Sequence, residues 1–501
     1  GSPVLLSAED DAGKAVRGVV SLVERDRIQV AFLQEPEFDP EPSGYRLSLA
    51  NDEIGQQRQR QALDAARLAA DASPLGKLRA VLLGEASPEF DPPPAVDYFN
   101  NDLDSSQRAA IAFALSAQRL AILHGPPGTG KTTTLVEFIR QAIRRGESVL
   151  VTAPSNLGVD NVLERLVAAG EQPIRLGHPA RVQAELRQRT LDELVEAHPE
   201  IRFARKLARE AYALRRQAGK YTRARPQPGE RAAQRAEARQ MLADARSMED
   251  QVIERLLAAA PILCATLTGL DRELLGDRRF DWVVIDEASQ SSEPAAWIAL
   301  QYGQRLVLAG DPCQLPPTIL SHQAAAAGLS VSLMERVMRL YPSTAARQLN
   351  IQYRMHQEIM AFSSAEFYAN SLSVHASVAA HTLAGLDGVS TLPVTCQPVE
   401  FFDSAGANYD EAVEPEGASR YNPQEALLVV RKIEELCAAG VYESAIAVIS
   451  PYAAQVRWLR EQLKQHEIEI DSIDGFQGRE KEAVIVSLVR SNPDGEIGFL
   501  A

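Results

Sequence analysis

Eight consecutive residues constrain this chain more than any other feature: Gly125, Pro126, Pro127, Gly128, Thr129, Gly130, Lys131 and Thr132. They fit the pattern G-x-x-x-x-G-K-[ST], with an apolar run, Leu120 to Leu123, before them and a helical pattern after them. Strand, glycine-rich turn and helix in that order predict a loop whose backbone N–H groups wrap phosphate oxygens. The helix N-terminus adds a favourable dipole. In such a loop Lys131 reaches the β- and γ-phosphates, and the Thr132 hydroxyl ligates Mg2+.

A second element completes the first. The apolar run Trp282-Val-Val-Ile285 leads straight into Asp286 and Glu287. Two carboxylates delivered at the end of a strand suit a metal-assisted phosphate chemistry. Asp286 is expected to hold Mg2+ through water, and Glu287 to activate or orient an attacking water. Further runs at Val149 to Thr152 and Leu306 to Leu308 alternate with helical patterns. The fold class is therefore α/β, with a doubly wound parallel sheet and its site at the strands' carboxyl ends. A second α/β block is expected around Ala445 to Ile449 and Ala483 to Leu488.

Length and composition bound the remainder. At about 150 residues per domain, 501 residues suggest about three domains. A hydrophobic fraction of 45% with 24% charged residues excludes a disordered, collagen-like or disulfide-scaffold chain. The longest nearly apolar stretch, Leu256 to Leu270, is interrupted by Pro261 and is too short to span a bilayer. No secretory signal is read at the start, and Gly1-Ser2 resembles a scar of tag removal. The cysteines Cys264, Cys313, Cys396 and Cys437 lack C-x-x-C spacing, so free thiols in a reducing cytosol are expected, without a zinc site.

Short strands are expected from Val16 to Leu49, with a charged turn at Glu24 to Arg27, followed by a polar helix from Ile54 to Ala72. A loop rich in Pro and Asp, Ser87 to Val96, marks a boundary. The net charge of −15 argues mildly against a polyanionic partner. Between Arg202 and Arg246, however, thirteen basic residues face four acidic ones. Charge alone leaves this stripe open between a solvated helical face and a docking surface for a polyanion. It lies in a basic helical stretch, about 183 to 258, that interrupts the strand alternation, with a bend expected at Arg225-Pro-Gln-Pro-Gly229.

Seven ordered segments together resemble superfamily 1 helicases of the nonsense-mediated-decay helicase type. Leu103-Asp-Ser-Ser-Gln107 resembles the Q motif, the phosphate loop motif I, and Ala153-Pro-Ser-Asn156 motif Ia. Asp286-Glu-Ala-Ser-Gln290 resembles motif II, and Gly310-Asp-Pro-Cys-Gln-Leu-Pro-Pro317 motif III. Gln352-Tyr-Arg-Met-His356 resembles motif IV, and Asp474-Gly-Phe-Gln-Gly-Arg-Glu480 motif V. The resemblance implies two RecA-like P-loop domains with ATP in the cleft and a single strand across the top. It also implies a small β-barrel domain on helical stalks and a helical insertion in the first RecA-like domain. The expected division is 1–53 partial barrel, 54–96 stalk and linker, and 97–182 first RecA-like domain. The basic insertion follows at 183–258, the rest of the first domain at 259–340, and a second domain at 341–501 that stops before motif VI.

The resemblance also assigns residues. Gln107 would read the adenine edge, Tyr353 would stack on the base, Glu480 would hold the ribose, and Thr133 joins the loop residues around the nucleotide. Gln314 corresponds to the γ-phosphate sensor and Arg354 to the arginine finger. Ser155, Asn156, Thr266, Tyr452, Gln455 and Ser472 would contact the nucleic-acid strand. Hydroxyls and amides suit phosphate and sugar, and Tyr452 suits stacking on a base. For each of these six, closing a loop or capping a helix is the alternative. The expected function is an ATP-dependent helicase or translocase on single-stranded RNA or DNA, travelling 5′-to-3′ as the family does. The alternative is a nucleic-acid-stimulated ATPase or ATP-gated clamp that remodels complexes without unwinding. A cytoplasmic monomer with ATP and Mg2+ as cofactors and no membrane association is expected. Neither its protein partners nor a choice between RNA and DNA is read from the chain.

Overall fold

Each apolar strand run of the first half sends alternate residues to two buried faces. In Leu120–His124, Leu120 and Ile122 join one hydrophobic cluster, Ala121 and Leu123 the other. Leu150 is likewise split from Val149 and Val151, and Val283 and Ile285 from Trp282 and Val284. A parallel sheet covered by helices on both sides requires this pattern. The computed structural model describes residues 3–8, 15–23, 27–32, 44–49, 53–219, 230–319, 321–414, 417, 419–476, 478–492 and 495–498. The chain forms two compact units, one of residues 1–126 and 130–349, the other of 127–129 and 350–501.

The first unit begins with strands β1 (Pro3–Ala8), β2 (Ala15–Val23), β3 (Ile28–Phe32) and β4 (Tyr45–Leu49). They pair antiparallel in the order β3-β2-β1-β4. An antiparallel sheet thus stands where a partial barrel is expected, and among the described residues β3 and β4 are its two edges. Residues 24–26 of the expected charged turn lie outside the described residues. The polar helix runs Glu53–Leu68, and a second helix, Pro74–Leu83, follows it. Ser73 caps that helix by accepting from the Gly76 N–H at 3.1 Å, and Gly84 at φ 80° closes it. Ala62, Ala66, Leu78 and Leu82 of the two helices are buried in the cluster that contains Leu120 and Leu306.

Seven parallel strands form the main sheet: β5 (Leu120–His124), β6 (Val149–Ala153), β7 (Ile174–Arg175), β8 (Ile262–Thr266), β9 (Phe280–Ile285), β10 (Gly303–Gly310) and β11 (Ala346–Gln348). Their order is β11-β5-β10-β9-β6-β8-β7. Because β10 and β9 lie between β5 and β6, the loops leaving β5, β10 and β9 open side by side at the carboxyl edge. Strand β11 pairs with β5 and brings residues 341–349 into the first unit, which moves the expected boundary at 341 to 350. Strand β8 lies inside the stretch Leu256 to Leu270, where Pro261 separates it from the end of a helix. The helices Pro199–Gly219 and Glu230–Ala259 pack along each other between β7 and β8, tied by Arg255, whose Nη1 donates to Glu200 at 2.9 Å. The bend expected at 225–229 lies outside the described residues. Among the described residues no helix is long and apolar enough to cross a membrane.

The second unit contains two short pairs, β12 (Ile351–Gln352) with β13 (Ser373–Val374) and β14 (Ala412–Val413) with β15 (Arg420–Tyr421). Its main sheet is parallel, with β16 (Ile446–Ile449) between β17 (Glu469–Asp471) and β18 (Ala483–Val486). Ile446, Val448 and Ile470 from the sheet bury against Ile433 and Leu459 of the helices Pro423–Ala438 and Ala453–Gln462. The second α/β block is therefore present, with its last strand ending two residues earlier than expected.

Candidate nucleotide and nucleic-acid sites

Gly128 and Gly130 take φ values of 74° and 75°, a backbone region that strongly favours glycine. A Cβ on Gly125 would stand 2.7 Å from the Lys131 Cβ, so the loop closes only without a side chain there. Lys131 then opens the helix Lys131–Arg144. Its Nζ lies 3.3 Å from Asp286 Oδ1 and donates to Glu287 Oε1. Burial pulls the Lys131 pKa down, but the carboxylates of Asp286 and Glu287 outweigh it and hold the ammonium above its usual range. Asp286 is 3% exposed. Burial raises its pKa, with Lys131 pulling the other way and Glu287 reinforcing the rise.

Glu287 sits at φ 51°, in the left-handed region that non-glycine residues seldom enter. Strain of this kind persists where surrounding bonds over-determine it. Here the Glu287 N–H donates to Asp286 Oδ1 at 2.9 Å, and Gln290 Nε2 donates to Glu287 Oε2 at 2.6 Å. The turn after β9 thus aims both carboxylates at Lys131. Thr132 is half-buried in the first helical turn, and Thr133 accepts from Arg165 Nη1 at 3.1 Å.

Gln314 Nε2 donates to Asp311 Oδ2 at 2.8 Å, and Asp311 Oδ1 meets His124 Nε2 at 3.0 Å. The sensor candidate is therefore fixed to the strand that delivers the phosphate loop. Gln107 lies in a capping box. Its Oε1 accepts from the Asp104 N–H at 3.1 Å, while Asp104 Oδ1 accepts from the Ser106 and Gln107 N–H groups. A Cβ on Gly130 would stand 2.5 Å from Gln107 Nε2, so the amide flanks the loop. Asp311 and Gln290 lie inside motif segments to which sequence assigns them no individual role, and His124 immediately precedes the phosphate loop.

In the second unit the Tyr353 ring lies against His375, centroids 4.6 Å apart and planes tilted by 33°, and Arg354 pairs with Glu480. Tyr353, Arg354 and Glu480 line a cavity of about 460 Å3, together with His381, Lys481 and Glu482. Tyr353, Arg354 and Glu480 are thereby brought together on one surface of this unit. Gln477 of the motif V segment lies outside the described residues.

The six strand candidates separate into two groups. Ser155, Asn156 and Thr266 gather at the carboxyl ends of neighbouring strands β6 and β8, where Ala153 and Thr266 are in register. Ser155 Oγ accepts from the Gly158 N–H at 3.0 Å, which caps the next helix. Asn156 Oδ1 accepts from the buried Arg175 at 2.9 Å, and Arg175 Nε also donates to Asp160 at 3.1 Å. Ser472 follows β17 and accepts from the Gly475 N–H at 3.2 Å.

Tyr452 and Gln455 behave differently. Tyr452 is buried at 9% exposure, with Arg490 Nη1 3.5 Å from its hydroxyl. Gln455 is fully buried; its Oε1 accepts from the Asn422 N–H at 2.9 Å, and its Nε2 donates to Ser487 Oγ at 2.9 Å. Here the amide serves the fold, the alternative already open for these residue types. We expect Gln455→Leu to destabilise the second unit by about 1–3 kcal/mol in urea unfolding, because it orphans the Asn422 donor. Strand affinity below the unfolding transition should stay unchanged. Unaltered stability with weakened strand binding would return Gln455 to the strand.

Two family models, each described as an AAA domain, match residues 102–322 and 329–501. DNA-binding protein SMUBP-2 of Mesocricetus auratus is 40% identical over 512 residues, covering 100% of this chain and 51% of that protein. The chain thus spans about half the length of the SMUBP-2 relatives it matches. DNA polymerase alpha-associated DNA helicase A of Schizosaccharomyces pombe is 35% identical over 511 residues, covering 99% of this chain and 72% of that protein. An uncharacterized ATP-dependent helicase of Methanocaldococcus jannaschii is 32% identical over 543 residues, covering 100% of this chain and 79% of that protein. Identity at this level along the whole chain, on a sheet that presents Lys131, Asp286 and Glu287 together, makes it a member of the superfamily 1 helicases.

Proposed function

We propose that this protein hydrolyses ATP in order to move 5′-to-3′ along single-stranded RNA or DNA and to open duplex ahead of it. The observation that carries the reading is the cluster of Lys131, Asp286 and Glu287 beside a glycine loop at the carboxyl edge of a parallel sheet. The lysine cation now neutralises two carboxylates. On binding a triphosphate, Lys131 would turn to the phosphate oxygens and leave Asp286 to act with Thr132 as a pair of hard oxygen donors. Such donors fit Mg2+, which would neutralise charge on the β- and γ-phosphates. Glu287 would orient and deprotonate the attacking water, while Gln314, held on Asp311, would sense the γ-phosphate. Gln107 and Tyr353 would hold the base, Glu480 the ribose, and Arg354 the charge that develops during transfer.

Ser155, Asn156, Thr266 and Ser472 lie at strand ends, where small polar groups suit phosphate and sugar. Contacts of this kind position a strand without reading it, so affinity should fall steeply with salt and vary little with sequence. Differential grip in the nucleotide-bound and nucleotide-free states would then convert each hydrolysis into a step.

The test is ATP turnover measured alone, with single-stranded RNA, and with single-stranded DNA of matched sequence. It is joined to displacement of a duplex carrying a 5′ or a 3′ tail. Stimulated turnover with displacement from the 5′ tail is the expected result. Stimulation without displacement favours remodelling over unwinding, and turnover indifferent to any strand would end the motor reading.

A further inference from the structure

The carboxyl ends of β5 and β10 bring together three side chains of a different chemistry. In the parallel register Gly310 stands opposite His124, and the Gly125 N–H donates to Gly310 O at 2.9 Å. Asp311 and Cys313 therefore follow β10 directly beside the start of the phosphate loop. One ligand atom from each of His124, Asp311 and Cys313 lies within 4.8 Å of the other two. His124 and Asp311 are 8% and 1% exposed, whereas Cys313 faces solvent.

We propose that these three residues form a regulatory zinc site that clamps the sensor loop to the phosphate-loop strand and slows ATP turnover. Zinc bonds of about 2.3 Å to sulfur and about 2.0–2.2 Å to nitrogen and oxygen set tetrahedral ligands roughly 3.3–3.8 Å apart. The cluster needs only small side-chain shifts to reach that spacing. Its buried imidazole and carboxylate form a preset floor, the thiol faces incoming metal, and water takes the fourth position. Coordination releases the thiol proton to solvent and replaces the 3.0 Å His124–Asp311 hydrogen bond.

Sulfur and imidazole select zinc over Mg2+, which prefers the all-oxygen pair of Thr132 and Asp286. The two metals thus take separate sites. His124 immediately precedes Gly125, and Cys313 immediately precedes Gln314. Asp311 holds Gln314 on its Oδ2 through the 2.8 Å bond and would offer Oδ1 to the metal. A single ion would then join the strand before the phosphate loop to the residue before the sensor, and movement of one against the other would stop. Absence of C-x-x-C spacing hides such a site, because its ligands come from two strands far apart in sequence.

The inhibitory part rests on the ATPase reading; the binding part does not. Zinc alone is titrated against a chromophoric chelator, and cobalt is followed by its thiolate charge-transfer absorption. Wild type, Cys313→Ser, His124→Gln and the exposed-thiol control Cys396→Ser are compared. Outer-shell changes cost about 10–100-fold in metal affinity, so Cys313→Ser should weaken binding at least about 100-fold. Cys396→Ser should bind as wild type does. Bound zinc should lower turnover about tenfold in wild type, reversed by a zinc-selective chelator, and leave Cys313→Ser unaffected. Without zinc, Cys313→Ser should turn over ATP like wild type. Equal zinc affinity in wild type and Cys313→Ser overturns the site, and zinc binding with unchanged turnover overturns the clamp. A chain that binds zinc through Cys313 but never hydrolyses ATP retains the site and sinks the ATPase reading instead.

Discussion

Arg354→Ala should lower strand-stimulated ATP turnover by about 10³–10⁵-fold while leaving ATP affinity nearly unchanged. Arg354 and Glu480 are 38% and 60% exposed, and pairs in such settings contribute about 0–1 kcal/mol. Losing the guanidinium therefore leaves the second unit folded, and a collapse in turnover cannot be assigned to unfolding. In the ATP-free state each charge satisfies the other. The proposed roles divide them, with Glu480 on the ribose and Arg354 on charge that grows only as the phosphoryl group transfers. Glu480→Ala should then show the opposite signature, weaker ATP binding with turnover at saturation largely preserved. Arg354→Lys keeps the charge but loses the planar fork of donors, so it should recover only part of the rate. Phosphate release at saturating ATP and strand, with affinity measured by nucleotide competition, separates these outcomes. Wild-type turnover in Arg354→Ala would reduce the residue to an ordinary ion-pair partner.

What could be read from sequence followed the strength of local rules. The phosphate loop and the carboxylates after Ile285 are legible because a glycine turn and an acidic strand end are chemically unusual where apolar runs stop. Strand β8 was hidden because Leu256 to Leu270 is apolar on both sides of Pro261, and periodicity over so short a run does not separate a helix end from a buried strand. Strand β11 was missed because Ala346–Gln348 has no apolar alternation of its own; its pairing with β5 places it. The strand candidates expose a different limit. Gln455 and Ser472 are both polar residues in segments that follow strands, but one closes a buried network with Asn422 and Ser487 and the other accepts from the Gly475 N–H at the start of the short helix Ile473–Phe476. Residue type announces hydrogen-bonding capacity, and only the fold decides which partner uses it.

Glu287→Gln is the complementary experiment, since it removes one protonation site and almost no shape. The amide retains an oxygen for Lys131, keeps its volume and takes the φ 51° backbone no worse than glutamate does. Asp286 also remains 3.3 Å from Lys131, so the cation proposed to meet the phosphates is still held in place. What disappears is the proposed base. An amide cannot accept the water proton, and general-base contributions are typically about 10²–10⁴-fold, so turnover should fall by that factor. ATP and strand should both remain bound, because neither Lys131 nor the glycine loop has changed. Filter retention of labelled ATP with strand present should therefore exceed that of wild type, which on the proposed reading empties its site by hydrolysis. A multiple-turnover rate equal to wild type would show that the water is activated by another group, and the strained turn after β9 would then need a different explanation.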